Sequence, residues 1–321
     1  MTKLRLTVLP LVVAIFILPR AAFADWPERP VHFIVPFPAG GATDVAARLV
    51  ANFLSGRFGQ QVVVENRSGA NGNIAIEYVS RSMPDGYTVL VGIQDLSSNP
   101  HIYKMTVDPL KALMPVVQIS RHPILLAAHP SLGVGTLSQL TALAKKQPGL
   151  PFGTGSGVGS THSMVALWYA KLAGVTLKQV PYRGGAPAIT DLIAGHVKLG
   201  SLGSTPLIPH YEAGTLKLLA QSTAARAPSL PKVPTFREEG FPELVLDQWV
   251  GVFVPTGTPE AIAARLNAEV NAALRDEGVR KGLSDQAQEP VGGTAEGYAS
   301  FVRAEWEKFG RLVQDLNITI E

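Results

Sequence analysis

Two glycine-rich stretches hold the residues of this chain best suited to chemistry. The first is Val35-Pro36-Phe37-Pro38-Ala39-Gly40-Gly41-Ala42-Thr43-Asp44, where a β-branched run passes through prolines and a Gly-Gly pair into an amphipathic pattern. The second is Gly153-Thr154-Gly155-Ser156-Gly157-Val158-Gly159-Ser160, glycines interleaved with hydroxyls ahead of another helical pattern. Glycine lets a ligand approach the main chain closely. A helix start offers unpaired N–H groups at the positive end of its dipole. Strand, glycine turn and helix start together form an anion site that needs no basic side chain. The same pattern also describes an ordinary βα turn.

Other chemistry finds less support. The second stretch lacks the lysine of a GxxxxGK[ST] phosphate loop. Thr154, not glycine, stands two residues before Ser156, so no GxSxG nucleophile elbow is present. An exported hydrolase using Ser156 or Ser160 as nucleophile is the competing class, but no nucleophile, base and orienter fall into a recognisable order. The seven histidines form no HxH or HExxH pair, and no metal or other cofactor is expected. Asp44, about three residues inside its helix, is placed to bond back to free N–H groups and support the loop. Tyr182-Arg183-Gly184-Gly185 follows a strand: Tyr182 offers a hydroxyl or a wall, and Arg183 either a fork for a carboxylate or an exposed turn residue. His162 is a cleft or cap residue, and Asp95 and Ser204 complete the cleft candidates. Trp168, Tyr169, Trp249 and Trp306 read as packing residues. Asn66-Arg67-Ser68 and Asn317-Ile318-Thr319 match a glycosylation triplet short enough to occur by chance.

These residues need a scaffold, and the pattern around them alternates strand and helix. Val31–Val35 reads as a buried strand and Thr43–Phe58 as a helix with Val45, Leu49, Phe53 and Leu54 on its apolar face. A strand at 62–64, a helix at 74–83 and a strand at 87–91 complete a βαβαβ order, which predicts a mostly parallel sheet. A looser region from Gly92 to Pro115 precedes a second α/β run that opens at Ile124. A strand-like segment at 245–254 and two helical blocks, Glu260–Arg275 and Thr294–Leu316, close the chain. The expected fold class is α/β with two lobes, each a mostly parallel sheet flanked by helices. Residues 25–122 with 251–321 form the first lobe and 123–250 the second, with the ligand cleft between them. Ligands of open α/β sheets collect at strand carboxyl ends, so two facing lobes would clamp a small anion.

Composition narrows the setting. Lys3 and Arg5, an apolar core from Leu6 to Leu18 and Ala22-Phe23-Ala24 form a secretory signal peptide over residues 1–24, cleaved after Ala24. The chain has 28 Lys and Arg against 25 Asp and Glu; Lys3, Arg5 and Arg20 lie in that segment and no acid does, leaving 25 of each. A balanced mature charge gives no support to nucleic-acid or anionic-membrane partners. With no cysteine, disulfides and thiolate sites are excluded, and the 46% of hydrophobic residues must supply the core.

Six motifs together resemble one family. They are Pro36–Asp44, Val64-Glu65-Asn66-Arg67-Ser68-Gly69-Ala70, Pro84-Asp85-Gly86-Tyr87, His129-Pro130-Ser131, Val180-Pro181-Tyr182-Arg183-Gly184 and Glu289-Pro290-Val291-Gly292-Gly293-Thr294. In order over about 26–316, they resemble the Bug proteins, periplasmic solute-binding receptors of the tripartite tricarboxylate transporter system. The resemblance implies a Venus-flytrap fold that closes on a carboxylate, held by main-chain N–H groups, hydroxyls and ordered water. Carried over by motif, the ligand-binding positions are Pro38, Ala39, Gly40 and Gly41 in the first lobe. In the second they are Ser156, Gly157, Gly159, Ser160, Thr161, Tyr182 and Gly184. The implied ligand is a small organic acid, foremost a dicarboxylate, with aromatic-carboxylate or amino-acid receptors as alternatives. The implied partners are membrane permease subunits, with a sensor kinase as a further partner and a monomeric receptor. The chain departs from the family pattern in two places. Ser163 occupies the histidine position of Ser-Gly-x-Gly-Ser-x-x-His, with His162 one residue earlier. Leu199-Gly200-Ser201-Leu202-Gly203 lacks a following Asp-Asn pair, which disfavours an ammonium-bearing ligand unless Asp95 substitutes.

Overall fold

The alternating runs fold into two separate sheets, each covered on both faces. The computed structural model describes residues 26–157 and 159–318; the expected signal peptide with its cleavage point, Val158 and Thr319 of the second glycosylation triplet lie outside them. In chain order the elements begin with β1 (Val31–Val35), α1 (Ala42–Phe58), β2 (Val62–Asn66), α2 (Asn73–Ser80), β3 (Thr88–Ile93), α3 (Asp95–Ser98), α4 (Pro109–Ala112) and β4 (Leu113–His122). There follow β5 (Ile124–Ala128), α5 (Leu137–Lys146), β6 (Leu150–Thr154), α6 (Thr161–Ala173), β7 (Leu177–Pro181), α7 (Gly185–Ile193), β8 (Leu199–Gly203), α8 (Ile208–Glu212) and β9 (Lys217–Gln221). The chain ends with β10 (Gln248–Pro255), α9 (Glu260–Ala273), α10 (Glu277–Ser284), β11 (Glu289–Pro290) and α11 (Ala295–Asp315).

The first sheet has the order β11-β4-β10-β3-β1-β2 and the second β7-β6-β8-β5-β9. Parallel pairing holds for β2-β1-β3 and for β7-β6-β8, as the βα alternation predicts. β10 runs antiparallel to β3 and β4, and β5 antiparallel to β8 and β9, so both sheets are mixed rather than mostly parallel. The reversals fall where the chain changes sheets: β4 leaves the first sheet for β5, and β10 returns to it.

Side chains alternate across each strand and feed two cores per sheet. Val31, Phe33 and Val35 face α1, α9 and α10, whereas Ile34, Leu90, Trp249 and Phe253 face α2 and α11. In the second sheet Ile124, Leu126 and Ala128 pack towards α5 and α6, and Leu125 and Ala127 towards α7 and α8. The buried face of α1 is Ala46, Ala47, Val50, Ala51, Leu54 and Phe58. Its small residues bring the helix axis close to the sheet and leave Val45, Leu49 and Phe53 only partly buried. The last helix serves both sheets. Tyr298 and Val302 pack with Trp249 and Phe253, while Phe309, Leu312 and Val313 enter the core of α5 and α6. Among the described residues no helix is long and apolar enough to cross a membrane.

Candidate functional site

A cavity of about 300 Å³ opens between the two sheets, at the small end of the roughly 300–1,000 Å³ typical of ligand pockets. Phe37 to Thr43 and Ile93 line it from the first sheet. Gly155, Ser156, His162, Arg183 to Pro187, Ile189, Leu202, Gly203 and Pro206 line it from the second, and Gln248 from the returning strand.

The loop before α1 is held from behind. Asp44, only 3% exposed, accepts Gly40 N–H at 2.9 Å and Arg48 Nε at 2.9 Å, and its other oxygen accepts Asn66 Nδ2 at 2.9 Å. The Asn66 amide also donates to the Phe37 carbonyl at 2.9 Å, tying the loop to the end of β2. Burial pushes the Asp44 carboxyl up, but hydrogen bonds from Arg48, Gly40 and Asn66 outweigh it and hold the group below its ordinary value. Gln288 adds a second tie, donating to the Ala42 carbonyl at 2.9 Å while accepting the Ser120 hydroxyl at 2.7 Å. Gly40 takes φ +83°, a left-handed conformation that favours glycine.

The helix start that faces the cavity from the second sheet is that of α7. No side chain caps α1 or α7, whose flanking residues Gly41 and Gly184 both line the cavity. The N–H groups of Ala42 and Thr43 in α1 and of Gly185 and Ala186 in α7 are therefore available to an anion, Pro187 having none. By contrast, α6 is capped by Ser160, whose hydroxyl accepts Ser163 N–H at 3.3 Å. The two second-sheet loops touch through their backbones: Gly184 N–H donates to the Gly155 carbonyl at 3.0 Å. A Cβ on Gly155 would sit 2.8 Å from Gly185 Cα. Gln179 secures the same loop, donating to Thr154 Oγ1 at 2.8 Å and accepting the Ser163 hydroxyl at 2.8 Å.

The sequence candidates fall into two groups. Pro38, Ala39, Gly40, Gly41, Ser156, Gly184, His162 and Arg183 line the cavity together. Gly157, Gly159, Ser160, Thr161, Tyr182, Asp95 and Ser204 are outside its lining. The Tyr182 hydroxyl donates to Asp191 at 2.7 Å. Gly157 and Gly159 meet Tyr103 and Ile102, from the segment after α3. Asp95 opens α3 itself, 3% exposed, and burial pushes its carboxyl up to about 7, with the Thr161 hydroxyl partly opposing the shift. Ser204 is buried just beyond Gly203. Among the described residues no acidic side chain lines the cavity, and neither Ser156 nor Ser160 has a histidine partner.

Three polar heads converge beside Gly203. A Cβ there would lie 3.0 Å from Gln248 Oε1, 3.7 Å from His162 Nε2 and 4.0 Å from His122 Nε2. His122 Nε2 and Gln248 Oε1 are 2.9 Å apart, linking the paired positions of β4 and β10 where the chain passes between sheets. Burial pushes both histidines down to about 4; hydrogen bonding with Gln248 only partly offsets this, and His162 lowers His122 further. Both imidazoles are thus neutral near pH 7. Sequence reasoning missed Gln248, His122, Asn66 and the α7 turn from Gly185 to Pro187. Asn66 and Gly185 stood inside motifs that had been singled out. Gln248 and His122 carried no signal, being 126 residues apart in the chain.

Known proteins resemble this chain over most of its length. The family model described as "Tripartite tricarboxylate transporter family receptor" matches residues 46–318. Protein BugT of Bordetella pertussis is 33% identical over 299 residues, covering 90% of each chain. The solved structure of R. palustris Rpa4515 with adipate shares 37% identity and a TM-score of 0.88, covering 92% of this chain and 99% of that one. MatC from Rhodopseudomonas palustris with bound malate shares 30% identity and a TM-score of 0.82, covering 90% of this chain and 100% of the other.

Proposed function

The chain belongs to the tripartite tricarboxylate transporter receptor family, and on that premise we propose that it captures a small organic acid, foremost a linear dicarboxylate, for a membrane permease. The observation that carries this reading is the meeting of two uncapped helix starts, α1 and α7, from separate sheets on one cavity, with Arg183 among the residues that line it. One carboxylate sits between those N–H groups. Each charge-assisted hydrogen bond contributes about 1.5–3 kcal/mol. Four of them, less the ordering costs, reach the ~8 kcal/mol of a micromolar binder. The absence of an acid from the described lining argues against amino acids, whose ammonium would go unpaired. Rpa4515 with adipate and MatC with malate support a diacid.

In this reading residues 1–24 direct export and are removed after Ala24, and the mature monomer works in the periplasm. The first lobe comprises 25–122 with 248–321 and the second 123–247, since β10 belongs whole to the first sheet and the boundary expected at 251 falls inside it. Binding closes the lobes about the strands that join them, and the ligand leaves unchanged, with no bond made or broken. Pro38 to Gly41, Ser156 and Gly184 contact the ligand directly. Gly157, Gly159, Ser160, Thr161 and Tyr182 support the second-lobe loops, as Asp44 supports the first.

Calorimetric titration against linear dicarboxylates, amino acids and aromatic acids tests the proposal. One-to-one binding of a dicarboxylate at micromolar affinity or tighter is expected, with the ligand recovered intact. No binding across the three panels overturns it.

A further inference from the structure

His162 is the one cavity-lining side chain among those described whose polar atoms are all buried without a well-formed hydrogen bond, the Gln248 amide being the neighbour that acts on its ring. A buried polar group whose hydrogen-bonding capacity is not met is costly to the fold, and such a group at a cavity wall is placed for a ligand atom. Its position is fixed, because the Ser201 hydroxyl of β8 donates to the His162 carbonyl at 2.6 Å. Gln248 stands beside it, its oxygen already bonded to His122, which leaves its amide N–H groups for the cavity.

Strand order fixes where this pair lies relative to the anion-binding helix starts. In the second sheet, Gly185 follows β7 and Gly203 ends β8, with β6 between them. In the first sheet, Gly41 follows β1 and Gln248 opens β10, with β3 between them. Both sheets therefore separate the two places by two strand spacings, on the order of 10 Å. Apolar Ile93, Ile189 and Leu202 line the cavity along with them. An unbranched chain with a carboxylate at one end and an oxygen function at the other matches this order of charge, grease and neutral hydrogen-bonding groups.

We infer that His162, assisted by Gln248, is the specificity-determining residue of the cavity, hydrogen-bonding the far carboxylate of a linear diacid of about four to six carbons whose near carboxylate occupies the helix starts. The inference rests on the carboxylate-receptor reading and adds the residue that tells a diacid from a monoacid. A neutral imidazole presents one N–H donor, and the amide of Gln248 presents more. A methyl terminus would leave both groups buried and unpaired, the condition under which discrimination is strongest.

The test is a ratio of affinities. Succinate, glutarate and adipate are titrated calorimetrically against the monoacids butanoate, pentanoate and hexanoate. The wild type should prefer its best diacid over the matching monoacid by about ten-fold or more, which corresponds to ~1.4 kcal/mol. His162→Leu should bring that ratio to about one, and His162→Gln, which retains a donor, should restore most of it. Gly203→Ala gives an independent route, since its methyl would stand 3.0 Å from Gln248 Oε1 and 3.7 Å from His162 Nε2 and lower the ratio without removing either group. A ratio unchanged in His162→Leu and Gly203→Ala, or a wild type that binds diacid and monoacid equally, overturns the inference and leaves the receptor function standing. A wild type that binds neither acid removes both.

Discussion

At the scale of single residues, polar groups that are spent on the fold can be told from those that are free for a ligand. Asp44 belongs to the first kind, with hydrogen bonds to Gly40, Arg48 and Asn66. Its supporting place was legible because position within the first helical turn and the i, i+4 spacing to Arg48 are local. Asn66, 22 residues away, was not. Asp95 is buried with one carboxylate oxygen unpartnered, and burial raises its carboxyl to about 7. An unfolded aspartate titrates near 3.9. Between those values the folded protein binds more protons than the unfolded one, so stability falls as pH rises from about 4 to about 7 and then levels off. Asp95→Asn keeps the shape and removes the charge. It should raise the unfolding free energy at pH 8 by on the order of 2–4 kcal/mol and change it little at pH 4. Urea melts at the two pH values check this; equal gains at both would mean that Asp95 is not the titrating group.

The elements explain why the glycines of the two loops are not interchangeable. A Cβ on Gly41 meets nothing closer than the Pro38 carbonyl at 3.7 Å, and its backbone is extended at φ −78°. A Cβ on Gly155 would collide with the backbone of Gly184 and Gly185. Gly41→Val should therefore melt within about 3 °C of wild type, a cost under ~1 kcal/mol, yet lose ligand affinity by a hundred-fold or more because its methyl groups fill the anion site. Gly155→Ala should lose affinity together with about 1–3 kcal/mol of stability, as overpacking does. Thermal melts beside titrations separate the two, and equal stability losses would refute the distinction. Most strands were legible as short apolar runs bounded by turns, β-branched in β1, β2, β3 and β10. β4 was not, because Pro115 interrupts it, Arg121 and His122 end it, and a single proline joins it to β5 without turn residues. α10 was hidden by two glycines within eight residues.

For the whole molecule, the two-sheet division follows from α/β alternation, but the direction of the returning strands does not, because it depends on where the chain re-enters a sheet. The reach of α11 was illegible for a related reason. Its apolar period gives a buried face, not the identity of the sheet that each turn meets. The helix starts on Trp249, whose indole donates to Glu305 at 3.2 Å, and ends with Phe309, Leu312 and Val313 in the core of the second sheet. It therefore ties together two bodies that the chain also joins through the β4–β5 and β9–β10 passages, and it should make their unfolding cooperative. Phe309 is fully buried, and Phe309→Ala should cost about 3–5 kcal/mol. Because the lost contacts lie on the second sheet alone, the single calorimetric transition expected of the wild type should divide into two, the earlier one belonging to the second sheet. Hydrogen exchange would then find β5 to β9 opening before β1 to β3. A transition that moves down without dividing would mean that the joining strands, rather than α11, couple the halves.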